Sequence, residues 1–240
     1  MGSLQPRERC NDVERGAILE KKPQVLFTVS RYPFPGVFIM IAIIDYGMGN
    51  LRSVSKALEH LGVTYKLCAK GKDLARATKV ILPGVGAFGD AMKELKSRGF
   101  VEAIRDLVAR KAKLMGVCLG LQLFFEKSEE NPGVKGLGIF KGTVRKFRSS
   151  TVKIPHMGWN DLKVLKKHPL LNGIPSGEYF YFVHSYFGKP SAKGLTLASC
   201  KYGRENFSAV IGNEHIFATQ FHPEKSQDAG LRILKNFIQW

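Results

Sequence analysis

The chain has 240 residues, 44% of them hydrophobic, enough apolar mass for one large α/β domain or for a domain with an appendage. Its formal net charge is +17, yet adjacent basic residues occur only in pairs (Lys21-Lys22, Arg110-Lys111, Arg145-Lys146 and Lys166-Lys167) with no RNA-binding aromatic signature, which argues against a specific nucleic-acid partner. Cys10, Cys68, Cys118 and Cys200 lie far apart without a CxxC pair, so neither a metal centre nor a disulfide framework is expected, and a reducing cytoplasm is the natural compartment.

Residues 1–39 differ from the rest. Met1 to Lys22 is polar and without period, and the apolar stretch Val25–Ile39 is broken by Arg31, Pro33, Pro35 and Gly36. It is too short and interrupted to span a membrane, and it lacks the basic-then-apolar order of a signal peptide. It reads as an upstream extension outside the functional core, or less readily as a targeting segment, with the core running over 40–240.

From Met40 the pattern is strand, loop and helix, repeated. Ile41–Asp45 is an apolar run expected of a strand buried on both faces. Tyr46-Gly-Met-Gly-Asn50 is a glycine loop, and Leu51, Val54, Leu58 and Leu61 then recur at helical spacing up to Gly62. Thr64–Leu67 and Lys79–Leu82 read as strands, and helices are expected through Met92 and Leu95 and over Phe100–Lys111. A strand starting at Leu114 turns at Cys118 into a helix-like run through Phe125. This alternation implies a largely parallel sheet with helices on both faces. After Asn131 short β-rich pieces dominate: Gly142–Phe147, Trp159–Leu165, Tyr179–Val183, Leu195–Ser199, Ser208–Gly212 and Ile216–Gln220. These are expected to extend the sheet with antiparallel strands and hairpins. Gly230–Trp240 reads as a closing amphipathic helix.

Three strand ends carry groups fit for chemistry. Gly116-Val-Cys-Leu-Gly120 has small residues on both sides of Cys118, as a tight strand-to-helix turn requires, which would expose the sulfur at a helix N-terminus where a thiolate is favoured. A small buried hydrophobe is the competing reading. His222-Pro-Glu224 follows a strand, and alternation would put both side chains on one face, with His222 as base and Glu224 as its orienter; a surface turn is the alternative. Pro83-Gly84-Val85-Gly86 is either an ordinary turn or a loop presenting backbone N–H groups to an oxyanion.

Together these motifs resemble the class I (triad) glutamine amidotransferases. Ile43–Leu51, Pro83–Gly89, Pro155-His-Met-Gly-Trp-Asn160, Tyr181-Phe-Val-His-Ser-Tyr186 and Phe221–Ser226 are similar to the HisH family, the glutaminase subunits of imidazole glycerol phosphate synthase. The resemblance covers Met40 to the C-terminus. It implies a three-layer α/β, flavodoxin-like fold, mostly parallel with added antiparallel strands, and hydrolysis of L-glutamine to glutamate and ammonia through Cys118, His222 and Glu224, with no cofactor or metal. It implies an oxyanion loop of Gly84, Val85 and Gly86, and the physical hypothesis for its gating is that these peptides rest with a carbonyl rather than an N–H facing the site. Glutamine contacts are implied from Gly86, Leu119, Gln122, His184, Ser185 and Tyr186. Gln122 stands one helical turn beyond Cys118, and an exposed helix position is its bland reading.

The resemblance also implies a heterodimer with a cyclase subunit, HisF, a (β/α)8 barrel, which uses the ammonia in histidine biosynthesis. Met48, Gly49, Asn50, Trp159 and Lys225 would lie near that interface, although Trp159 equally fits a core and Asn50 a helix cap. A triad glutaminase of another pathway and a catalytically silent partner of the same fold are the alternatives. The Pro155–Asn160 segment weighs against the first and the intact Cys118, His222 and Glu224 against the second.

Overall fold

The computed structural model describes residues 40–148 and 151–240, so the expected N-terminal extension lies outside the described residues. β1 (Ile41–Ile44) is buried at every position. Ile41 and Ile43 face one apolar cluster, Ala42 and Ile44 the other, and this two-sided burial explains why the strand shows no polar alternation. α1 (Leu51–His60) starts at Asn50, whose side chain accepts the Ser53 N–H at 3.3 Å, and buries Val54, Ala57 and Leu58. β2 (Tyr65–Cys68), β3 (Lys79–Leu82), α2 (Phe88–Ser97), α3 (Phe100–Ala109) and β4 (Lys113–Val117) continue the alternation.

The run after Cys118 departs from expectation. α4 (Leu119–Leu123) has 5 residues and gives way at once to β5 (Phe125–Ser128). The buried Phe124 and Phe125 continue the apolar pattern across the boundary, so periodicity alone did not mark the end of the helix. β6 (Phe140–Lys146), β7 (His156–Asp161), β8 (Lys163–Val164), β9 (Tyr179–His184), β10 (Tyr186–Pro190), β11 (Thr196–Tyr202), β12 (Glu205–Gly212), β13 (Ile216–Thr219) and α5 (Gln227–Gln239) complete the chain.

One sheet of 8 strands runs β2-β1-β3-β4-β13-β12-β11-β8. β2, β1, β3, β4 and β13 are mutually parallel, whereas β12, β11 and β8 add antiparallel pairings at one edge. α1 and α5 pack on one face and α2, α3 and α4 on the other, giving the three layers expected. The β-rich half does not all extend this sheet. β10, β6 and β5 form a separate sheet, and β7 pairs with β9 alone in register His156↔His184 and Trp159↔Tyr181. These small sheets stand beside the carboxyl ends of β4 and β13, where ligands of parallel sheets gather.

Candidate active site

The pairing of β13 with β4 places Thr219 opposite Val117, and the Cys118 N–H donates to the Thr219 carbonyl at 2.8 Å. Cys118 then turns the chain at φ 54°, ψ −106°, a backbone conformation costly for any residue with a side chain. Such strain marks a nucleophile elbow. Gly120 lets the elbow sit on β3: a Cβ there would come within 2.0 Å of the Leu82 carbonyl oxygen.

Two expectations about Cys118 are corrected. It is buried, at 6% exposure, because β9 and β13 cover it: its Sγ lies 3.9 Å from the Val183 carbonyl and 3.8 Å from Nε2 of Gln220. The helix that follows is barely more than one turn long, so its dipole is small.

His222 and Glu224 lie on a short 3-10 turn, Pro223–Lys225, rather than on an extended strand. The turn still brings them together, with Nδ1 of His222 donating to Oε1 of Glu224 at 2.8 Å and both side chains 2% exposed. The His222 backbone is braced from both sides: its N–H donates to the Tyr181 carbonyl at 3.0 Å, and its carbonyl accepts the Ser226 hydroxyl at 2.6 Å. Burial opposes a charge on this ring, but the Cys118 sulfur and the Glu224 carboxylate outweigh it and push the ring up to about 10. The opposite nitrogen, Nε2, makes no hydrogen bond among the described residues, although the Cys118 sulfur is near enough to bias its proton.

The loop Pro83–Gly86 abuts the elbow. A Cβ on Gly84 would meet Leu119 Cβ at 2.9 Å and the Gly120 nitrogen at 3.2 Å, while Val85 and Gly86 are exposed. Gly86 has φ +96°, a left-handed conformation that suits glycine. The glycine loop before α1 leans on these peptides: Met48 Cε lies 2.7 Å from where a Gly86 Cβ would be, and Pro83 packs against Gly49. Tyr46, 1% exposed, brings its hydroxyl to Gly84, where a Cβ would stand 2.6 Å away. That hydroxyl has no hydrogen-bond partner among the described residues, and burial together with the nearby Cys118 raises its pKa. Tyr46→Phe should therefore stabilise the fold by about 1 kcal/mol in urea unfolding, because it removes a desolvated, unpaired group; a lower midpoint would mean that the hydroxyl is bonded.

Gln122 is not an exposed helix residue. It is 4% exposed, and its Nε2 donates to the Tyr186 carbonyl at 2.8 Å and approaches Oε1 of Gln220 at 3.4 Å. His184, Ser185 and Tyr186 join β9 to β10 beside it. Gln220, missed in the sequence, is fully buried next to the sulfur; the signal was an amide within the apolar strand run Phe217–Phe221. Trp159 is exposed rather than core, at 46%, with its ring 6.1 Å from that of Tyr181, and Lys225 Nζ lies 5.8 Å from the same Tyr181 ring. Among the described residues no group of three or more His, Cys, Asp or Glu is placed to hold a metal ion, and no helix is long and apolar enough to cross a membrane.

Residues 42–240 match the family Glutamine amidotransferase class-I, and the chain belongs to that family of enzymes. The fold agrees: a structure titled "Crystal structure of glutamine amidotransferase" superposes with TM-score 0.66 at 21% identity over 83% of this chain and 97% of the other. PurLQS from Thermotoga maritima superposes with TM-score 0.67 at 20% identity over 85% of this chain and 99% of the other. Within the family the chain belongs with the HisH subunits of imidazole glycerol phosphate synthase. It is 49% identical to "Imidazole glycerol phosphate synthase subunit HisH 1" of Campylobacter jejuni (strain RM1221), over 83% of this chain and 100% of the relative. It is 46% identical to the HisH subunit of Chlorobaculum tepidum, over 84% of this chain and 100% of the relative.

Proposed function

We propose that Cys118, His222 and Glu224 hydrolyse L-glutamine in this glutaminase subunit, and that the ammonia passes to a (β/α)8 cyclase partner, HisF, for imidazole glycerol phosphate formation in histidine biosynthesis. The observation that carries this reading is the strained Cys118 elbow beside a buried His222–Glu224 pair. His222, its ring pushed up to about 10, already carries the proton on Nε2 in a sulfur–imidazolium pair, and the sulfur attacks the side-chain amide carbon. The tetrahedral oxygen is held by backbone N–H groups of Leu119 and Val85. Imidazolium returns the proton to the departing nitrogen, ammonia leaves, and a γ-glutamyl thioester remains. Water, deprotonated by His222, attacks the thioester; glutamate leaves and the sulfur–imidazolium pair is restored. Glu224 keeps the His222 proton on Nδ1 and balances the ring's charge. Gly86, Gln122 and the His184–Tyr186 backbone hold the substrate.

The partner surface is the outer face of β7 and β9, where Met157, Trp159 and Tyr179 are 63%, 46% and 55% exposed, continued by Lys225 and by the Met48–Asn50 loop. The net charge of +17 suits an acidic partner. The working unit is residues 40–240, a span supported by the family match over 42–240, and the compartment is the cytoplasm, in keeping with free Cys68, Cys118 and Cys200.

Contact between Met48 and Gly86 gives a docked partner a route to the oxyanion loop. In this reading the resting loop turns a carbonyl toward the site, and docking together with the cyclase's phosphorylated ligand favours the rotated peptide. Glutamine hydrolysis measured for the chain alone, with cyclase, and with cyclase plus ligand should rise stepwise, about 100-fold in all if competence grows from ~1% to near full population. Equal rates in the three assays would sink the gating.

A further inference from the structure

Outside the triad, a continuous chain of polar groups runs from the half-buried Asn160 through the buried His156 and His184 to the substrate pocket. Asn160 of β7 donates from Nδ2 to the Lys201 carbonyl at 3.0 Å and lies 3.2 Å from Nε2 of His156. Nδ1 of His156 is 3.1 Å from Nε2 of His184. Nδ1 of His184 is 2.8 Å from the Tyr186 carbonyl, the same oxygen that accepts from Gln122 Nε2.

Both ends of this chain are carbonyls, which only accept, and that fixes every proton between them. Lys201 orients the Asn160 amide with its nitrogen toward His156, so His156 Nε2 accepts and its Nδ1 carries the hydrogen. That hydrogen is donated to His184 Nε2, so the His184 hydrogen sits on Nδ1 and is donated to Tyr186. Read from the Tyr186 end, the same tautomers result. Each link has one donor, so an extra proton on either ring would break it. Burial keeps both rings neutral, pushing His184 down to about 3 and His156 down to about 4. The rings are also held in place by packing, with His156 stacked at 3.9 Å on Tyr202 and at 4.8 Å on Phe182.

The geometry points to His156 as a positioning residue for glutamine, acting through His184 to hold the Tyr186 carbonyl where it receives the Gln122 nitrogen. The Gln122 nitrogen is committed to Tyr186 and Gln220, so the edge left for a ligand is its oxygen. The pocket thereby offers an acceptor to an N–H group of the substrate, where the flipped amide would offer a donor. β7 carries this relay on its inner face while Trp159 stands on the outer one. The inference rests on Gln122 belonging to the glutamine pocket.

The test uses the subunit in complex with its cyclase and ligand, with KM and kcat for glutamine read in a thermodynamic cycle. His156→Phe keeps the ring stack and removes both nitrogens. KM should rise about 5- to 10-fold, the effect of one lost buried hydrogen bond, with kcat within about 2-fold. His156→Gln, which retains a donor and an acceptor, should recover part of the loss. In a Gln122→Leu background His156→Phe should raise KM by a clearly smaller factor, because the amide that the held carbonyl receives is gone. An unchanged KM in His156→Phe, a rise of the same factor in both backgrounds, or a fall in kcat alone would overturn the relay. If Gln122→Leu itself leaves KM unchanged, the pocket assignment fails instead.

Discussion

Cys118→Ala is expected to abolish glutamine-dependent synthesis in the subunit–cyclase complex while leaving synthesis from added ammonium at the wild-type rate. The change removes one atom, the sulfur that forms the thioester, and among the described residues no other thiol can replace it, since Cys68 and Cys200 are buried in the apolar core with burial pushing their pKa values up, to about 11 and about 12. Alanine has a Cβ like cysteine, so the strained φ of 54° costs the variant no more than the wild type and the elbow keeps its shape. Losing a triad nucleophile removes on the order of 10⁶ in kcat. Glutamine-dependent turnover persisting within a hundredfold of wild type would show that another group attacks the amide.

Glu224→Gln should lower kcat for glutamine hydrolysis by on the order of 10³–10⁴ with little change in KM, the scale seen when an orienting carboxylate becomes an amide. Glutamine can donate to Nδ1 as well as accept from it, so the ring is no longer held with Nδ1–H on an acceptor and Nε2–H toward the sulfur and the leaving nitrogen. The pH profile supplies an independent reading. His222 is held up at about 10 against burial by Cys118 and Glu224, and an opposite charge favours the protonated ring. Removing the carboxylate lowers the ring's pKa, so the alkaline limb of the sulfur–imidazolium pair should move to lower pH. The same sign governs stability. The folded pKa of His222 is raised, so its contribution is fully present below about 6.5, the unfolded value, and is lost as pH rises through about 10. An alkaline limb that stays put in Glu224→Gln would mean that the carboxylate does not act on the ring.

Much of the apparatus was legible locally. The glycines flanking Cys118 announced a tight turn, and Gly120 now has a reason in the Leu82 carbonyl 2.0 Å from its absent Cβ. The apolar run Ile41–Ile44 announced a strand buried on both faces. Other features were not legible, for definite physical reasons. The apolar period ran unbroken from α4 into β5, so the end of the helix was hidden. Trp159 has the same composition whether core or surface, and only the pairing of β7 with β9 showed that its face looks outward. His156 and Asn160 read as family markers without a task, because their partners lie on β9 and β11, tens of residues away.

Residue type and spacing were enough to name Cys118, His222 and Glu224 and the turns that carry them, because a strand-to-helix turn and a His-Pro-Glu turn are local conformations governed by a few neighbouring residues. Their meeting was decided by tertiary structure alone. β13 inserts beside β4 across about a hundred residues of intervening chain, and its register sets Thr219 level with Val117. That order follows from burying both faces of the sheet under helices, a non-local requirement that no periodicity within either strand records. The covering of the sulfur by β9 and Gln220, and the tautomers of His156 and His184, were decided in the same way, since a buried polar group takes its state from whatever the fold places against it.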